Sequence, residues 1–289
     1  MTDNYINFKR QRELGEIITD TFKFLRENYR SLFSLILKIA GPMLIILSLS
    51  LGYYYYIGGG NPFLETGMDD NLWQFFLALF LLVISFLLFF TLLQGTVLHF
   101  IRSYIENKGA VVESEVFTGV KNDFGSLLGV GIIAPILVFF GLLLCLLPGI
   151  YLWVPMSFCF PLVVFGRIGA FDSIGDSFTL IKNNWWMTFL SLIVMTLLVY
   201  LIGLIFQIPM FIYLMVKMVS VVQEGSAANP EAMFDWVYIV FSVIASIAQY
   251  LLYSILIIAI AFIYYDLDEK KHFTGTYETI SKLGSTDNQ

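Results

Sequence analysis

The sequence predicts an all-α membrane protein: a polytopic bundle of six transmembrane helices in three helical hairpins, each preceded by a cytoplasmic interfacial amphipathic helix. The first observation is composition, since 58% of the 289 residues are hydrophobic and 13% are charged. Soluble domains are roughly half apolar and about a quarter charged. The second observation is that several apolar runs exceed the ~20 residues that cross a ~30 Å hydrocarbon core. The third is that most lysine and arginine residues fall in segments that the predicted spans put on the same side of the membrane.

The apolar runs predict spans at about 32–57, 72–101, 124–147, 150–166, 185–208 and 236–264. With the interfacial helices they make a single membrane domain, 13–270, between an N-terminal cytoplasmic segment, 1–12, and a flexible cytoplasmic tail, 271–289. The fifth run stays apolar through 209–222, which forms either an extension on the outer face or a further membrane segment. We favour the extension, because a further span would place the lysine-bearing tail outside.

The orientation follows from the positions of lysine and arginine, which cytoplasmic loops retain. Of the 16 basic residues, 14 lie in the N-terminal segment, the loops after the second and fourth spans, or the tail. The opposite loops, 58–71 and 223–235, contain acidic residues and no basic ones. Both termini are therefore predicted to be cytoplasmic.

Three polar segments share a pattern and indicate an internal repeat. They read "DTFKFLRENYRSLF" from Asp20, "EVFTGVKNDFGSLL" from Glu115 and "DSFTLIKNNWWMTF" from Asp176. In each, a phenylalanine follows the acid by two residues, and a basic residue and a closing aromatic residue come next. The apolar residues recur with helical spacing, which is typical of helices at the membrane interface. The alternative is that no repeat exists, because aromatic residues gather at membrane interfaces in any case.

The repeat predicts interfacial helices at about 13–30, 111–123 and 168–184. Their aromatic residues are predicted to be anchors at the interface, where amphipathic rings are enriched. The predicted anchors are Phe22, Tyr29, Phe117, Phe124, Phe178, Trp185 and Trp186.

Three stretches carry a resemblance to a known group. They are "LPGIYLWV" at 147–154, "FPLVVF" at 160–165 and "AFDSIGDSFTLIKNNWW" at 170–186. The chain resembles, over about residues 10–270, the six-helix membrane domain attached to some bacterial glycerophosphodiester phosphodiesterases, and related stand-alone membrane proteins. The resemblance implies a bacterial cytoplasmic (inner) membrane as the location. It implies no activity, because the phosphodiesterase chemistry belongs to a separate soluble domain that this sequence lacks.

Catalytic and cofactor motifs are missing from the sequence. No serine nucleophile elbow, zinc-binding His-Glu-x-x-His or phosphate-binding loop is present. "GVGIIA" from Gly129 has a dinucleotide-binding spacing but lies within an apolar run, where Gly125 and Gly129 favour close helix packing. Cys145 and Cys159 lie in apolar runs and behave there as small hydrophobes. We expect no catalytic residue, cofactor or metal site, and no nucleic-acid partner.

Polar residues inside the apolar runs are the candidate ligand-binding residues, because such groups are costly in lipid and are often functional. The candidates are Lys38, Gln94, His99 and Gln249. Convergence of the first three would suit an anionic group such as a lipid phosphate. The alternatives are that Lys38 extends back to the interface and that the glutamines bond neighbouring helices.

These observations predict a non-catalytic integral membrane protein that binds lipid or a hydrophobic molecule, or acts as a partner or accessory subunit. Its expected partners are membrane lipids and either another membrane protein or a second copy. The alternative is a small transporter or channel that uses a cavity near Lys38, Gln94 and Gln249. A lipid enzyme would need clustered acids or histidines at one interface, and His99 is the one histidine near a predicted span.

Overall fold

A computed structural model describes residues 5–58, 72–223 and 235–277, which contain helices and no strand. The helices in these ranges are α1 (Leu14–Ile39), α2 (Gly41–Gly58), α3 (Leu72–Glu106), α4 (Glu113–Leu144), α5 (Leu146–Met156), α6 (Cys159–Gly166), α7 (Ala170–Ile181), α8 (Trp185–Gln223) and α9 (Trp236–His272). Five stretches are long and apolar enough to cross a membrane, namely α3, α4, α5 with α6, α8 and α9. The pair α1 and α2 passes the same test together but is bent by 67° at its break, as a broken span or a re-entrant loop is. The predicted all-α polytopic helical bundle is confirmed.

The chain forms two compact units. Unit 1 contains the residues up to Ile39, then Thr91–Leu197, then those from Ser254 on; unit 2 contains Ala40–Phe90 and Leu198–Tyr253. Most charged side chains of the described ranges lie in unit 1, at helix ends and in the turns between helices. We call this part of unit 1 the charged end, and it comprises residues 5–16, 102–115, 167–184 and 266–277.

The N-terminal segment is packed into unit 1. The Phe8 ring is fully buried and stacks on Phe262 of α9, with centroids 4.2 Å apart. Phe24 and Tyr104 meet it edge-on, at 5.3 and 6.1 Å. Such aromatic pairs stabilise a core beyond the area that they bury. Residues 5–12 therefore belong to the folded unit, although the predicted membrane domain begins at residue 13.

The break between α1 and α2 lies at residue 40, whereas the sequence analysis placed it near residue 31. Residues 29–34 contain no helix breaker, so α1 continues through them. Gly41 and Pro42 supply the break, because proline lacks a backbone N–H and restricts the residue before it. Ile17, Thr21, Phe24 and Leu32 form the buried face of α1.

The second predicted interfacial helix, 111–123, is not separate from the span that follows it. Both are parts of α4, which runs unbroken from Glu113 to Leu144. The third is a separate helix, α7, which ends where Asn183 takes a left-handed conformation with φ 71°. Asparagine adopts this conformation more readily than most residues. The third copy of the predicted repeat breaks at Asn183, whereas Asn122, which corresponds to it in the second copy, stays helical within α4.

Two helices differ in detail from the predicted spans. The predicted span 150–166 consists of α5 and α6, separated at Ser157 and Phe158, because Pro155 and Pro161 each remove a backbone donor. In contrast, α8 continues past Pro209 to Gln223, so the predicted extension 209–222 is a direct continuation of the helix.

Unit 2 contains one ion pair among its described residues. Asp235 precedes α9 and accepts a hydrogen bond at Oδ1 from the Tyr238 backbone N–H, 3.1 Å away, as an N-cap does. Its Oδ2 lies 3.0 Å from Lys217 Nζ and accepts a hydrogen bond from the Tyr213 hydroxyl. Lys217, one of the two basic residues outside the predicted cytoplasmic set, is therefore paired with an acid.

Candidate functional site

The candidate residues fall into both units. Lys38, Gln94 and His99 belong to unit 1 and Gln249 to unit 2. Lys38 Nζ lies 2.7 Å from Glu113 Oε2, and both side chains are about half exposed. Exposed ion pairs contribute little to stability, about 0–1 kcal/mol. The Lys38 amine at the end of α1 therefore has a surface acid as its partner.

Gln94 and His99 lie on α3 and are both buried. The His99 Nε2 atom is 3.1 Å from Asp123 Oδ2 of α4, although it is not aligned for a hydrogen bond. Asp123 lies ten residues after Glu113, the partner of Lys38, which is about 15 Å along a helix. The Lys38 amine and the His99 imidazole thus have separate acidic partners on α4.

The His99 ring fits against Gly119 of α4. A Cβ atom at position 119 would lie 2.6 Å from His99 Cε1 and closer still to Nδ1. When the three copies of the predicted repeat are aligned, Gly119 of the second copy corresponds to Phe24 of the first and to Leu180 of the third. Both of these side chains are buried. The second copy has a glycine where the others have a large apolar side chain, and the imidazole takes up the space.

A cavity of about 430 Å³ opens beside this histidine. Its lining comes from the end of α3 and the first turns of α4, and consists of His99, Arg102, Ser103, Glu106, Ser114, Glu115, Thr118, Gly119, Asn122 and Asp123. Three carboxylates face one guanidinium, so that the lining carries net negative charge apart from the histidine. Such a lining favours a cationic group over an anion.

The carboxylates of this cavity are held by neighbouring donors. Glu115 Oε2 accepts hydrogen bonds from Ser103 Oγ at 2.7 Å and Asn107 Nδ2 at 2.8 Å. Both donors are neutral, so neither supplies a cation to pair with this carboxylate. Glu106 Oε1 lies 3.0 Å from Arg102 Nε and 3.3 Å from Arg167 Nη2.

Arg102 and Glu106 also border a second cavity of about 550 Å³. Its lining contains three cationic side chains, two carboxylates and one histidine, namely Lys9, Arg102, Arg167, Glu106, Asp268 and His272. The ion pair of Arg102 and Glu106 therefore lines two neighbouring cavities at the charged end. The charged lining of the first is net negative, and that of the second is net positive.

Gln249, the candidate in unit 2, is packed against α8. A Cβ atom on Gly203 would collide with Gln249 Oε1 and lie 2.7 Å from Cδ. The Oε1 atom is buried and accepts no hydrogen bond from any described residue. A buried carbonyl without a donor costs about 1–3 kcal/mol, which makes this amide a candidate for a role beyond packing.

The aromatic residues that were predicted to be anchors differ in exposure. Tyr29, Phe117 and Trp186 are exposed, and Trp186 is 75% exposed; the other four are half-buried. Trp185 is part of a cluster, because its ring stacks on Tyr151 of α5 at 5.6 Å and on Phe189 at 5.0 Å. Phe178 lies 6.3 Å from Tyr151 in the same cluster.

The sequence analysis missed one polar residue with many contacts, Arg12. Its side chain has no exposed surface, and its Nε lies 2.9 Å from Asp20 Oδ2. It also donates to the carbonyl oxygens of Phe8, Arg10 and Asn7. In the sequence Arg12 is one of several charges in a polar segment, and only Phe8, four residues earlier, could have indicated burial.

Comparisons with known proteins do not place the chain in a family. The predicted resemblance to the phosphodiesterase membrane domain therefore stays a prediction. No protein-family model, curated protein or solved structure matches this chain.

Proposed function

We propose that this chain is a non-catalytic integral membrane protein that binds a lipid through the amine of its headgroup. The observation that supports the proposal most is the cavity of about 430 Å³ beside His99, with three carboxylates and one guanidinium in its lining. An ammonium group has three N–H donors and no acceptor, which suits a carboxylate-rich site. The neighbouring helices are long and apolar enough to cross a membrane, and amine-bearing headgroups are abundant in membranes, which supports a lipid as the ligand.

His99 and Asp123 are the proposed centre of the binding site. The His99 ring packs closely against Gly119. Asp123 is only partly buried, with 31% of its side chain exposed. An incoming amine can therefore reach the Asp123 carboxylate while the imidazole stays in place. Hydrogen bonds between charged groups are roughly twice as strong as neutral ones. The sequence analysis proposed an anionic ligand here, and the acidic lining supports a cationic one instead.

The test compares two lipids and two variants by native mass spectrometry of the purified protein. The lipids are phosphatidylethanolamine, which has an amine, and phosphatidylglycerol, which has none. Asp123→Asn removes a carboxylate from the cavity, and Glu113→Gln is the matched control, because Glu113 lies on the same helix outside the cavity lining. We expect Asp123→Asn to weaken ethanolamine-lipid binding about tenfold, which corresponds to ~1.4 kcal/mol. Equal binding of both lipids, or equal loss in both variants, would overturn the proposal.

Transport is a second candidate function, which the buried Gln249 Oε1 supports. If this amide serves structure alone, Gln249→Met should leave stability unchanged or raise it, since the orphan carbonyl is removed. If it contacts a passing solute, the same variant should keep its fold and lose flux in proteoliposomes. Unchanged flux in a stably folded variant would exclude Gln249 from a transport path.

We further propose that the charged end faces the cytoplasm of a bacterium, which the distribution of the basic residues supports. Fusing each terminus to a reporter that is fluorescent only in the cytoplasm tests this orientation. Fluorescence from both fusions is expected. A dark fusion at either terminus, with the protein present in the membrane, would contradict the proposal.

A further inference from the structure

We propose that the cavity of about 550 Å³ at the charged end binds a phosphate monoester through its terminal phosphate. This site is separate from the His99 cavity and does not depend on the proposed binding of a lipid amine. An excess of cationic groups and two buried tyrosines with unpartnered hydroxyls support it. A phosphatidic acid headgroup and a soluble phosphate ester share this chemistry, and separate probes distinguish the two sources.

Four segments of unit 1 form the walls of this cavity. They are the N-terminal segment with Lys9, the end of α3 with Arg102, the turn after α6 with Arg167, and the end of α9 with His272 and the residues that follow it. The volume lies in the range of about 300–1,000 Å³ that is usual for ligand pockets. It is larger than a phosphate group alone would fill, which favours a substituted phosphate.

Two guanidinium groups share one carboxylate in this wall. Glu106 Oε1 lies 3.0 Å from Arg102 Nε and 3.3 Å from Arg167 Nη2. Arg102 also donates from Nη1 to the Val164 carbonyl oxygen at 3.2 Å, whereas Arg167 bonds no other described residue. A guanidinium has five N–H donors, so most of those on Arg167 are left over. Their fork geometry suits phosphate oxygens.

The second carboxylate of the cavity is held by its own neighbours. Asp268 Oδ1 lies 2.8 Å from His272 Nδ1, and Asp268 Oδ2 accepts a hydrogen bond from the Thr274 hydroxyl at 2.8 Å. Both oxygens of Asp268 therefore have partners at the end of α9. The cationic side chains of the cavity are not needed to satisfy this carboxylate.

Two tyrosines supply neutral donors. Tyr264 and Tyr265 both line the cavity, are only 7% and 8% exposed, and pack their rings on Phe165 at 5.3 and 5.0 Å. Neither hydroxyl has a hydrogen-bond partner among the described residues, and neither is fully enclosed. Buried tyrosines usually find a partner for the hydroxyl. A phosphate oxygen in the cavity would be that acceptor.

The wall after α9 is held in place by the protein itself. Glu269 is buried and accepts hydrogen bonds from the Gly275 N–H at 2.6 Å and the Thr276 N–H at 3.0 Å. Gly275 packs against the backbone of Lys9, where an added Cβ atom would collide with the carbonyl oxygen. The backbone of Lys9 is thus positioned beside the end of α9. A wall that is already ordered lowers the cost of binding.

A terminal phosphate matches these donors better than a phosphodiester does. A phosphate monoester presents three acceptor oxygens and carries a charge of about −1.5 to −2 at pH 7. A diester has two free oxygens and a single charge. The donors come from α3, the turn after α6 and α9, so that three oxygens can each meet a different wall.

The test measures binding of phosphatidic acid and of inorganic phosphate to the purified protein in detergent, by isothermal titration calorimetry. Arg167→Gln removes a guanidinium whose side chain is 68% exposed, so the fold should persist. Arg30→Gln is the matched control, because Arg30 is exposed and lies outside the cavity lining. We expect Arg167→Gln to weaken phosphatidic acid binding about tenfold and Arg30→Gln to leave it unchanged.

A second variant tests the neutral donors. Tyr264→Phe combined with Tyr265→Phe should weaken phosphate binding without lowering the thermal midpoint, since no hydrogen bond within the described protein is lost. If the double variant fails to fold, Tyr265→Phe alone serves the same purpose. Undiminished binding in a folded variant would remove the tyrosines from the site and contradict the proposal.

The two probes identify the source of the phosphate. Tighter binding of phosphatidic acid than of inorganic phosphate indicates a lipid, and equal affinities indicate a soluble ester. Asp123→Asn alters only the other cavity and should leave phosphate binding unchanged, which separates this site from the proposed amine site. Absence of binding by both probes, or an equal loss in Arg167→Gln and in either Arg30→Gln or Asp123→Asn, would overturn the proposal.

Discussion

The imidazole of His99 lies where a side chain at position 119 would have to be. A Cβ atom on Gly119 would come within 2.6 Å of His99 Cε1, whereas the corresponding residues of the other two repeats, Phe24 and Leu180, fill their positions with apolar side chains. The second copy of the predicted repeat thus has a glycine where the other two have large apolar side chains, and a histidine from α3 packs against it.

Gly119→Ala should displace the imidazole and weaken both the fold and lipid binding. Overpacking of this kind costs about 1–3 kcal/mol, so the thermal midpoint in detergent should fall. Gly125→Ala is the matched control, because it lies on the same helix and nothing is within 4 Å of its added Cβ. The control should be neutral or slightly stabilising, since alanine favours helix over glycine. Equal midpoints for the two variants would contradict the packing described.

Arg12→Met should destabilise the protein far more than Arg10→Met does. Both guanidinium groups contact Asp20, but the Arg12 side chain is 0% exposed and that of Arg10 is 43% exposed. Removal of one partner of a buried pair costs about 3–5 kcal/mol, and loss of an exposed pair about 0–1 kcal/mol. Chemical unfolding of both variants tests the difference. Similar losses would show that the N-terminal segment is not held by Arg12.

Trp185→Ala should lower stability more than Trp186→Ala. Trp185 stacks on Tyr151 and Phe189, whereas Trp186 is largely exposed. Truncation of a packed aromatic residue costs about 3–5 kcal/mol when it is fully buried, and less at a half-buried position. Thermal unfolding of the two variants in the same detergent provides the comparison. A larger loss for Trp186→Ala would indicate that contact with lipid outweighs the aromatic cluster.

Acid should remove a contribution from Asp235. Burial alone would raise its pKa, but hydrogen bonds from Tyr213, Lys217 and the Tyr238 backbone outweigh that effect and lower the pKa of Asp235 to about 2. A lowered folded-state pKa means that the contribution is fully present above the ordinary carboxylate pKa of about 4 and is lost as pH falls toward 2. The thermal midpoint of the wild type should therefore fall more steeply in this window than that of Asp235→Asn. Parallel pH profiles would contradict the prediction.

The sequence predicted the helices better than it predicted their contacts. The starting residues of α3, α8 and α9 agree with the predicted spans because apolar runs there begin abruptly after polar loops. The break between α1 and α2 was wrongly placed near residue 31, because an interfacial helix and a membrane span differ only in composition. The helix α1 ends instead where the backbone restrictions of Gly41 and Pro42 begin. Asn183 breaks the third repeat, and its left-handed conformation is invisible in a hydropathy pattern.

The candidate site was predicted only in part. His99 was identified because a histidine in an apolar run is unusual, but its partners Gly119 and Asp123 lie on another helix and only tertiary packing brings them near. The one feature of the sequence that pointed to Gly119 was its departure from Phe24 and Leu180 in the aligned repeats. Lys38 was identified by the same rule as His99, and its partner is the exposed Glu113.

A density map of the protein in lipid nanodiscs tests the proposed binding site most directly. One sample contains phosphatidylethanolamine and the other only phosphatidylglycerol. The proposal predicts headgroup density in the first sample, within the cavity that His99 and Asp123 line, and none there in the second. An empty cavity in the ethanolamine sample, or equal density in both, would contradict it.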